Sequence, residues 1–251
     1  MGYIFEFNDA VAYEKWFDNP HNRFIAELEN RLMLDLLKPA KGESVLEIGC
    51  GTGAGLLTFI DAGVEVTGLD PSPYMLDIAL KNVGNRADLH RGFAEDLPFE
   101  DNSFNHACFI TTLEFVEDPK RAIEEACRVA KDRIFLGVLN SYSVKGIQRR
   151  VKGIFTSTIY NRAHFFSIWE LKQIIRSFLG DVPISWRTVC HFPAATGWMT
   201  RRMERSAMLQ RCPCGAFIGM VVTLVPRFRT RPLAVPIKAK HTTGAAAGLR
   251  V

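Results

Sequence analysis

The stretch that decides the fold is Val-Leu-Glu-Ile-Gly-Cys-Gly-Thr-Gly at residues 45–53. It begins as an apolar run typical of a buried strand, and residues 54–62 after it have the apolar spacing of a helix. Glycine has no Cβ and accepts positive φ, so three glycines let the backbone bend sharply and approach a ligand. A strand, a glycine turn and a helix N-terminus predict the nucleotide-binding corner of a doubly wound α/β domain.

Strands and helices alternate on both sides of this turn. The predicted strands are 44–48, 64–69, 87–91, 104–110, 133–139, 183–190 and 216–225. The predicted helices are 9–18, 22–37, 53–62, 73–82, 119–130 and 167–178. This order predicts an α/β fold with a mostly parallel, seven-stranded Rossmann-like sheet, because crossover helices join parallel strands.

The same pattern predicts the domain organisation. We expect one domain over residues 1–225, with an N-terminal helical cap at 9–38 and insertions at 141–165 and 192–215. The tail at 226–251 contains prolines and ends in Gly and Ala residues, which favours an extended or disordered segment.

Bulk composition excludes several classes of protein. The chain has 251 residues, of which 47% are hydrophobic, and this suits one fairly large α/β domain. No apolar run reaches the roughly 18 residues of a membrane span, and the first residues do not resemble a signal peptide. The six cysteines are scattered, and Cys50 lies inside the glycine turn, so no disulfide framework is indicated. We therefore expect a reduced, cytoplasmic protein.

Charge is distributed unevenly along the chain. Residues 1–140 contain 13 Lys/Arg and 24 Asp/Glu, whereas residues 141–251 contain 18 Lys/Arg and 3 Asp/Glu. The two halves could pair with each other or with solvent, or the basic half could meet an anionic partner. We expect the second alternative, because Arg201, Arg202, Arg205 and Arg211 lie close together beside a single acid.

The glycine turn alone does not identify the nucleotide, because its residues also fit the dinucleotide pattern G-x-G-x-x-G/A. Three further features are informative. Glu47 lies two residues before the first glycine, and Asp70 ends the next predicted strand, where a ribose diol could be bound. The segment Gly-Phe-Ala-Glu-Asp-Leu-Pro-Phe at 92–99 then leads towards another strand.

With these motifs the chain resembles the class I S-adenosylmethionine-dependent methyltransferases, in particular the small-molecule branch that includes the quinone-biosynthesis enzymes. The matching segments are 45–53, Gly-Leu-Asp-Pro-Ser at 68–72, 94–99, Asp-Asn-Ser-Phe at 101–104 and Leu-Glu-Phe-Val-Glu-Asp-Pro at 113–119. The resemblance is good over residues 9–140 and loose beyond. It implies S-adenosyl-L-methionine as the methyl donor and S-adenosyl-L-homocysteine as the product.

The resemblance also implies a set of cofactor-binding residues. Gly49, Gly51 and Gly53 would approach the methionine part, Glu47 would fix the loop or meet the amino group, and Asp70 would bind the ribose. The remaining candidates are Tyr13, Cys50, Pro71, Phe93, Ala94, Asp96, Ile110 and Thr111. Phe93 departs from the family, which often has Asp or Asn there. Either Phe93 packs on the adenine, or Asp96 supplies the polar contact, or Phe93 is ordinary strand-end packing.

The acceptor side is less specific. In related enzymes the N-terminal helix and the late insertions form the acceptor pocket, which here suggests Trp16, Glu114, Phe165, His191, Trp198 and Arg201. The candidate catalytic residues are His164 and Tyr160, with His164 as a general base near neutral pH. The competing interpretation is that His164 is a packed or capping residue. Glu114 is an alternative base.

No metal site is expected. Cys212-Pro-Cys214 could suggest one, but zinc sites usually require two such pairs, and a turn with incidental thiols is favoured. The prediction is methyl transfer by in-line displacement to a small, possibly anionic molecule. The alternatives are a methyltransferase acting on RNA or a lipid headgroup through the basic half, and a non-catalytic cofactor-binding protein; an NAD-dependent reductase is the weakest.

Overall fold

The computed structural model describes residues 2–143, 162–192 and 198–224, without the side chains of Trp198 and Arg201. The helices are α1 Phe7–Trp16, α2 Pro20–Leu37, α3 Ala54–Asp61, α4 Pro73–Val83, α5 Pro119–Val129, α6 Ile168–Leu179 and α7 Trp198–Glu204. The strands are β1 Ser44–Ile48, β2 Glu65–Asp70, β3 Asp88–Arg91, β4 Phe104–Ile110, β5 Ala130–Leu139, β6 Ile184–Val189 and β7 Phe217–Thr223.

Capping side chains explain where several helices begin. Ser72 and Asp118 each accept a hydrogen bond from a backbone N–H in the first turn of α4 and α5. Ser167 and Glu170 form the predicted capping box at the start of α6. These three helices begin at or within one residue of their predicted starts, because these signals are local in sequence.

The seven strands form one sheet in the order β3-β2-β1-β4-β5-β7-β6. β7 runs antiparallel to β5 and β6, and the other pairs are parallel. The predicted mostly parallel Rossmann-like sheet is confirmed. The chain moves outward from β1 to β3 and then crosses to β4 on the other side of β1. The carboxyl ends of β1 and β4 are therefore the switch point at which ligands bind in such sheets.

Helices cover both faces of the sheet. Leu32 of α2 and Phe59 of α3 pack on one face with Phe135, and Ile123 of α5 and Leu171 of α6 pack on the other. These side chains are fully buried. Each buried methylene contributes about 0.8 kcal/mol to the free energy of folding. The two apolar layers together therefore stabilise the sheet whose strand ends carry the site.

The structure differs from the predicted elements in a few places. α1 begins at Phe7 rather than residue 9, since the Asp9 carboxylate accepts the Glu6 N–H just before the helix. β5 begins at Ala130 rather than 133. The insertion 192–215 contains the short helix α7 and a 3₁₀ turn at Leu209–Arg211, which the sequence did not predict. Most of 141–165 and the 226–251 tail lie outside the described residues, and the domain limits stay a prediction.

Candidate active site

The glycine turn connects β1 to α3 at the switch point. Gly49, Gly51 and Gly53 have φ values of 73°, 52° and 84°, a region that L side chains rarely adopt. A Cβ on Gly49 would overlap the Thr112 side chain, and one on Gly55 would overlap the Glu47 carboxylate. Glycine is thus required at Gly49 for both backbone conformation and space.

Glu47 lies one residue before the end of β1 and two residues before the first glycine of this turn. Its side chain is 3% exposed, and its Oε2 has no hydrogen-bond partner among the described residues. Burial, together with the neighbouring charge of Asp70, raises the pKa of Glu47 to about 8. A buried, unsatisfied carboxylate at a cavity wall is suited to a cationic ligand group, which would stabilise its ionised form.

Asp70 joins the end of β2 to the glycine turn. Its carboxylate accepts hydrogen bonds from the backbone N–H groups of Gly51 at 2.9 Å and Ser72 at 2.8 Å. Burial raises the pKa of Asp70, and these two bonds oppose that increase. The side chain is therefore fixed in orientation beside the turn.

A cavity of about 780 Å³ lies above the carboxyl ends of the strands. Among its lining residues are the predicted cofactor candidates Tyr13, Glu47, Gly49, Cys50, Gly51, Asp70, Pro71, Phe93, Ala94, Ile110 and Thr111, and the predicted pocket residue Trp16. Gly53 and Asp96 are not part of the lining, although Gly53 shapes the turn. The sequence motifs therefore converge on one cavity.

The segment after β3 borders one end of this cavity. Phe93 is 43% exposed and lines the cavity, together with Ala94. Asp96 donates its backbone N–H to Phe93 O at 3.3 Å, and its side chain lies away from the lining. Of the two alternatives for an adenine contact, this arrangement favours Phe93, and its role stays a prediction.

The end of β4 and the two residues after it, Thr111 and Thr112, also line the cavity. Thr111 is a non-glycine residue with φ of 51°, and its N–H donates to Gly137 O at 2.8 Å. The Thr112 hydroxyl donates to Gly49 O at 3.2 Å and so holds the glycine turn against β4. Strained backbone of this kind often occurs at functional sites. Sequence reasoning missed Thr112.

Aromatic side chains of α1 cover the cavity. Tyr13 and Trp16 are stacked with ring centroids 6.5 Å apart, and Phe17 packs edge-on to both. Ahead of α1, the N-terminal segment 2–5 also lines the cavity. Tyr3 N–H donates to Phe115 O at 2.8 Å and the Ser72 hydroxyl donates to Phe5 O at 2.7 Å. Segment 2–5 has no periodic pattern, so its position could not be predicted from the sequence.

The opposite wall is one face of α2. Its cavity-lining residues are Asn22, Ile25, Ala26, Glu29 and Asn30, which follow helical spacing. Asn22 Nδ2 donates to Trp16 O at 2.9 Å and connects this wall to α1. Glu29 is the ionisable member of the set. Sequence reasoning missed this face because polar residues beside a buried stripe are typical of any solvent-exposed helix side.

The predicted catalytic residues lie elsewhere or outside the described residues. The side chain of His164 is 57% exposed, and its Nε2 is 2.6 Å from Glu170 Oε1. It is not in the cavity lining, and its ring packs edge-on to Phe166. Tyr160 falls outside the described part of the chain. The structure thus places His164 at the start of α6, in the position of a capping partner.

Other predicted pocket residues also lie away from the lining. Glu114 is buried and accepts a hydrogen bond from Leu139 N, and Phe165 is buried in the core. His191 Nδ1 lies 3.3 Å from Glu204 Oε2, beyond the end of β6. Trp198 and Arg201 belong to α7, and their side chains are not described.

Two groups of side chains contain residue types that can bind a metal. The Cys212–Gly215 turn is held through its carbonyls, since Asn140 Nδ2 donates to Pro213 O and Gly215 O, both at 2.7 Å. Glu43, His106 and Asp132 lie within 4.8 Å of one another at the opposite edge of the sheet. His106 Nε2 is 2.9 Å from Glu43 Oε2, so these two already form an ion-pair geometry. Neither group borders the cavity.

Comparisons with known proteins agree with this geometry. A family model described as a methyltransferase domain matches residues 46–136. The chain is 35% identical over 169 residues to an uncharacterized protein of Methanocaldococcus jannaschii, covering 66% of this chain and 76% of that protein. It belongs to the class I S-adenosylmethionine-dependent methyltransferases. It is therefore a methyltransferase enzyme that uses S-adenosylmethionine and releases S-adenosylhomocysteine.

Two further similarities bear on the methyltransferase. Over 101 residues it is 37% identical to a demethylmenaquinone methyltransferase of Renibacterium salmoninarum, covering 40% of this chain and 42% of that protein. A crystal structure of a SAM-dependent methyltransferase from Thermotoga maritima, described as a possible histamine N-methyltransferase, has a TM-score of 0.66 to this chain. The two are 27% identical, and the match covers 86% of this chain and 96% of that one. The quinone enzyme is thus matched over less than half its length.

No described helix has the length and apolar character required to cross a membrane.

Proposed function

We propose that the methyltransferase transfers a methyl group to a small aromatic acceptor bound between α1 and α2. One observation carries the proposal: the cavity that begins at the glycine turn continues without interruption to the Trp16 side chain and the α2 wall. Reactants held side by side in one cavity gain most of their rate from proximity and alignment.

The cofactor end is supported by the geometry of the turn. S-adenosylmethionine supplies an electrophilic methyl group on a sulfonium when it is bound. Gly49 and Gly51 would let the backbone approach its methionine part, and the Glu47 carboxylate would receive the ammonium group. Asp70, which two backbone N–H groups hold in place, would accept hydrogen bonds from the ribose. Phe93 and Ala94 would border the adenine.

The acceptor end is supported by the chemistry of its walls. Trp16, Phe17 and Ile25 offer apolar and aromatic surface, while Asn22 and Asn30 offer amide groups that can orient a polar substituent. This combination suits a flat ring that carries oxygen or nitrogen atoms. The name of the demethylmenaquinone methyltransferase relative supports the same class of acceptor.

A base is required only when the acceptor atom carries a proton that must leave. Glu29 is the ionisable residue that the cavity-lining face of α2 contributes, and we propose it for that role. The surface pairing of His164 with Glu170 gives less support to His164. Tyr160 keeps its predicted role as an alternative outside the described residues.

The charge of the acceptor is a separate question. The basic second half favours an anion, whereas the described acceptor walls contribute Glu29 and the neutral Asn22 and Asn30. Arg121 lines the cavity at the Phe115–Asp118 side, near the start of α5. Within the described residues the acceptor end therefore favours a neutral or weakly acidic ring, such as a phenol or hydroquinone, over a strong anion.

The test uses S-adenosylmethionine with a labelled methyl group and a cell extract divided into small-molecule, lipid, RNA and protein fractions. Label is expected in organic-soluble small molecules. Trp16→Ala should raise KM for the labelled acceptor about tenfold or more, with unchanged affinity for S-adenosylhomocysteine. Phe7→Ala, an exposed aromatic of α1 outside the cavity lining, is the matched control. Label confined to RNA or protein contradicts the proposal.

A further inference from the structure

Several apolar side chains are exposed at Phe192 and in the described stretch 198–211. Phe192, Met199, Met203 and Met208 are 40%, 60%, 48% and 87% exposed. They are four of the ten large apolar side chains that the described residues expose, although the segment is only a small part of the chain. Large exposed apolar side chains concentrated in one part of a chain are typical of a binding surface.

The charges within the same segment are almost all positive. It contains four arginines and one acid, Glu204. Arg202, Arg205 and Arg211 are exposed, whereas Glu204 is 1% exposed. The buried Glu204 carboxylate contacts His191 and backbone N–H groups, and it forms no described ion pair with these arginines. We call Phe192, Met199, Arg202, Met203, Arg205, Met208 and Arg211 together the Met-Arg surface.

Buried contacts hold this surface in place. The Glu204 carboxylate accepts hydrogen bonds from the backbone N–H groups of Cys190 at 3.0 Å and Phe192 at 2.9 Å. Gln210 Nε2 donates to Glu204 O at 3.0 Å and ties the 3₁₀ turn to the end of α7. The Met-Arg surface is therefore part of the folded domain and keeps its apolar and basic side chains together.

We propose that the Met-Arg surface docks the methyltransferase on an anionic phospholipid membrane. Arginines near such a surface are attracted by its negative potential, and flexible apolar side chains can insert among the acyl chains. A single-stranded nucleic acid would also attract arginine, but such sites usually present aromatic rings for base stacking. Three of the four exposed apolar residues here are methionines, so the composition favours lipid.

The surface contacts α2, the helix whose other residues line the acceptor end of the cavity. Arg205 Nη2 is 3.0 Å from Glu27 Oε1 on α2, and the next residue towards the N-terminus, Ala26, lines the cavity. Docking would therefore place the acceptor wall near the membrane, where lipophilic rings partition. This consequence rests on the proposed function, whereas the docking itself does not.

The test measures cosedimentation of the full chain with phosphatidylcholine vesicles that contain or lack 30% phosphatidylglycerol, at low and at high salt. Binding is expected only to the anionic vesicles and should weaken with salt. Arg202→Gln and Arg211→Gln should each reduce partitioning about fivefold, equivalent to about 1 kcal/mol per basic residue. Replacing Met199, Met203 and Met208 by Ser should reduce it by a further tenfold or more.

The matched control replaces Lys81, Lys120 and Lys131 by Gln, because these lysines are exposed but lie outside the Met-Arg surface. This triple variant should bind vesicles like the parent chain, and all variants should retain S-adenosylhomocysteine binding as evidence of folding. Equal loss in the lysine variant would indicate a general charge effect and contradict the proposal. So would unchanged binding in the methionine variant, or arginine-dependent binding of poly(U) without binding of vesicles.

Discussion

The two ends of the cavity are built in different ways. At the cofactor end, residues 45–53 and the strand ends that follow impose positive φ, tight packing and buried carboxylates within a short stretch of chain. At the acceptor end, the walls come from α1, α2 and the N-terminal segment, and the insertion 192–211 lies nearby. The cofactor end is thus specified locally and tightly, whereas the acceptor end depends on how separate elements meet.

The largest effect should follow Gly49→Ala. The substitution combines left-handed backbone strain with overlap of Thr112, and we expect unfolding to become easier by about 2–4 kcal/mol, with loss of S-adenosylhomocysteine binding. Thermal denaturation and calorimetric titration measure both effects. Gly42→Ala is the control, since Gly42 has φ of 78° but open space around its Cβ position. Equal losses in both variants would mean that backbone strain alone is responsible.

Asp70→Asn should come next. The amide keeps the shape of the side chain but has no negative charge. The hydrogen bonds from the Gly51 and Ser72 N–H groups and from the proposed ribose hydroxyls are therefore weakened or lost. We expect affinity for S-adenosylhomocysteine to fall about 10- to 100-fold, because hydrogen bonds to charged groups contribute about 1.5–3 kcal/mol. Asp88→Asn, at an exposed position of β3, should leave affinity unchanged. A normal affinity in the Asp70 variant would remove Asp70 from the site.

Glu204→Gln tests the insertion that lies near the acceptor end. Burial alone would raise the pKa of Glu204, but hydrogen bonds from His191 and from the Phe192 N–H hold it below its usual value. A glutamate in an unfolded chain has a pKa near 4.3. When folding lowers that pKa, the ionised carboxylate stabilises the fold at any pH above about 4.3. This stabilisation is lost as the pH falls through the lower pKa of the folded state. We expect a loss of about 1–3 kcal/mol near pH 7, which shrinks on acidification, with cofactor affinity unchanged. A change in cofactor affinity would show that the two ends are coupled.

The same contrast explains what the sequence could predict. The strands β1 to β4 begin and end within about one residue of their predicted bounds, because apolar runs and Gly or Pro residues delimit them. Glu47, Gly49, Gly51 and Asp70 were found because their spacing within a strand-turn-helix unit reflects a local requirement. Their convergence on one cavity followed from the parallel order of the strands.

The acceptor walls could not be found in this way. Along α2, the pattern identifies Phe24, Leu28 and Leu32 as core residues, and it leaves Asn22 and Glu29 indistinguishable from a solvated face. That face becomes a wall only because α1 and α2 line the same cavity in the folded protein. His164 suggested a base because it lies among aromatic residues, whereas its partner Glu170 is set by the capping geometry of α6.

The pH dependence of cofactor binding is a smaller effect that reports on Glu47. With a pKa of about 8, this buried carboxyl is mostly protonated at pH 7 in the free enzyme. If it receives the cofactor ammonium group, binding favours the ionised form, so affinity should rise up to about tenfold between pH 6 and pH 7, below the range in which an α-ammonium group itself loses its proton. Near pH 7, titrations in buffers of different ionisation enthalpy should show release of nearly one proton. Glu47→Gln should release none, and equal release in both proteins would exclude this role.

The smallest effect should follow loss of the Arg205–Glu27 contact, which connects the insertion to α2. The two side chains are 45% and 54% exposed, and exposed ion pairs contribute about 0–1 kcal/mol. Glu27→Gln should therefore change the free energy of unfolding by less than about 0.5 kcal/mol and leave cofactor affinity unaltered, as chemical denaturation and titration would measure. A larger loss would show that this surface contact holds the insertion against the acceptor wall. The buried hydrogen bonds of Glu204 would then be insufficient to hold the insertion in place on their own. The structure of the acceptor end would in that case depend on the insertion as well as on α1 and α2.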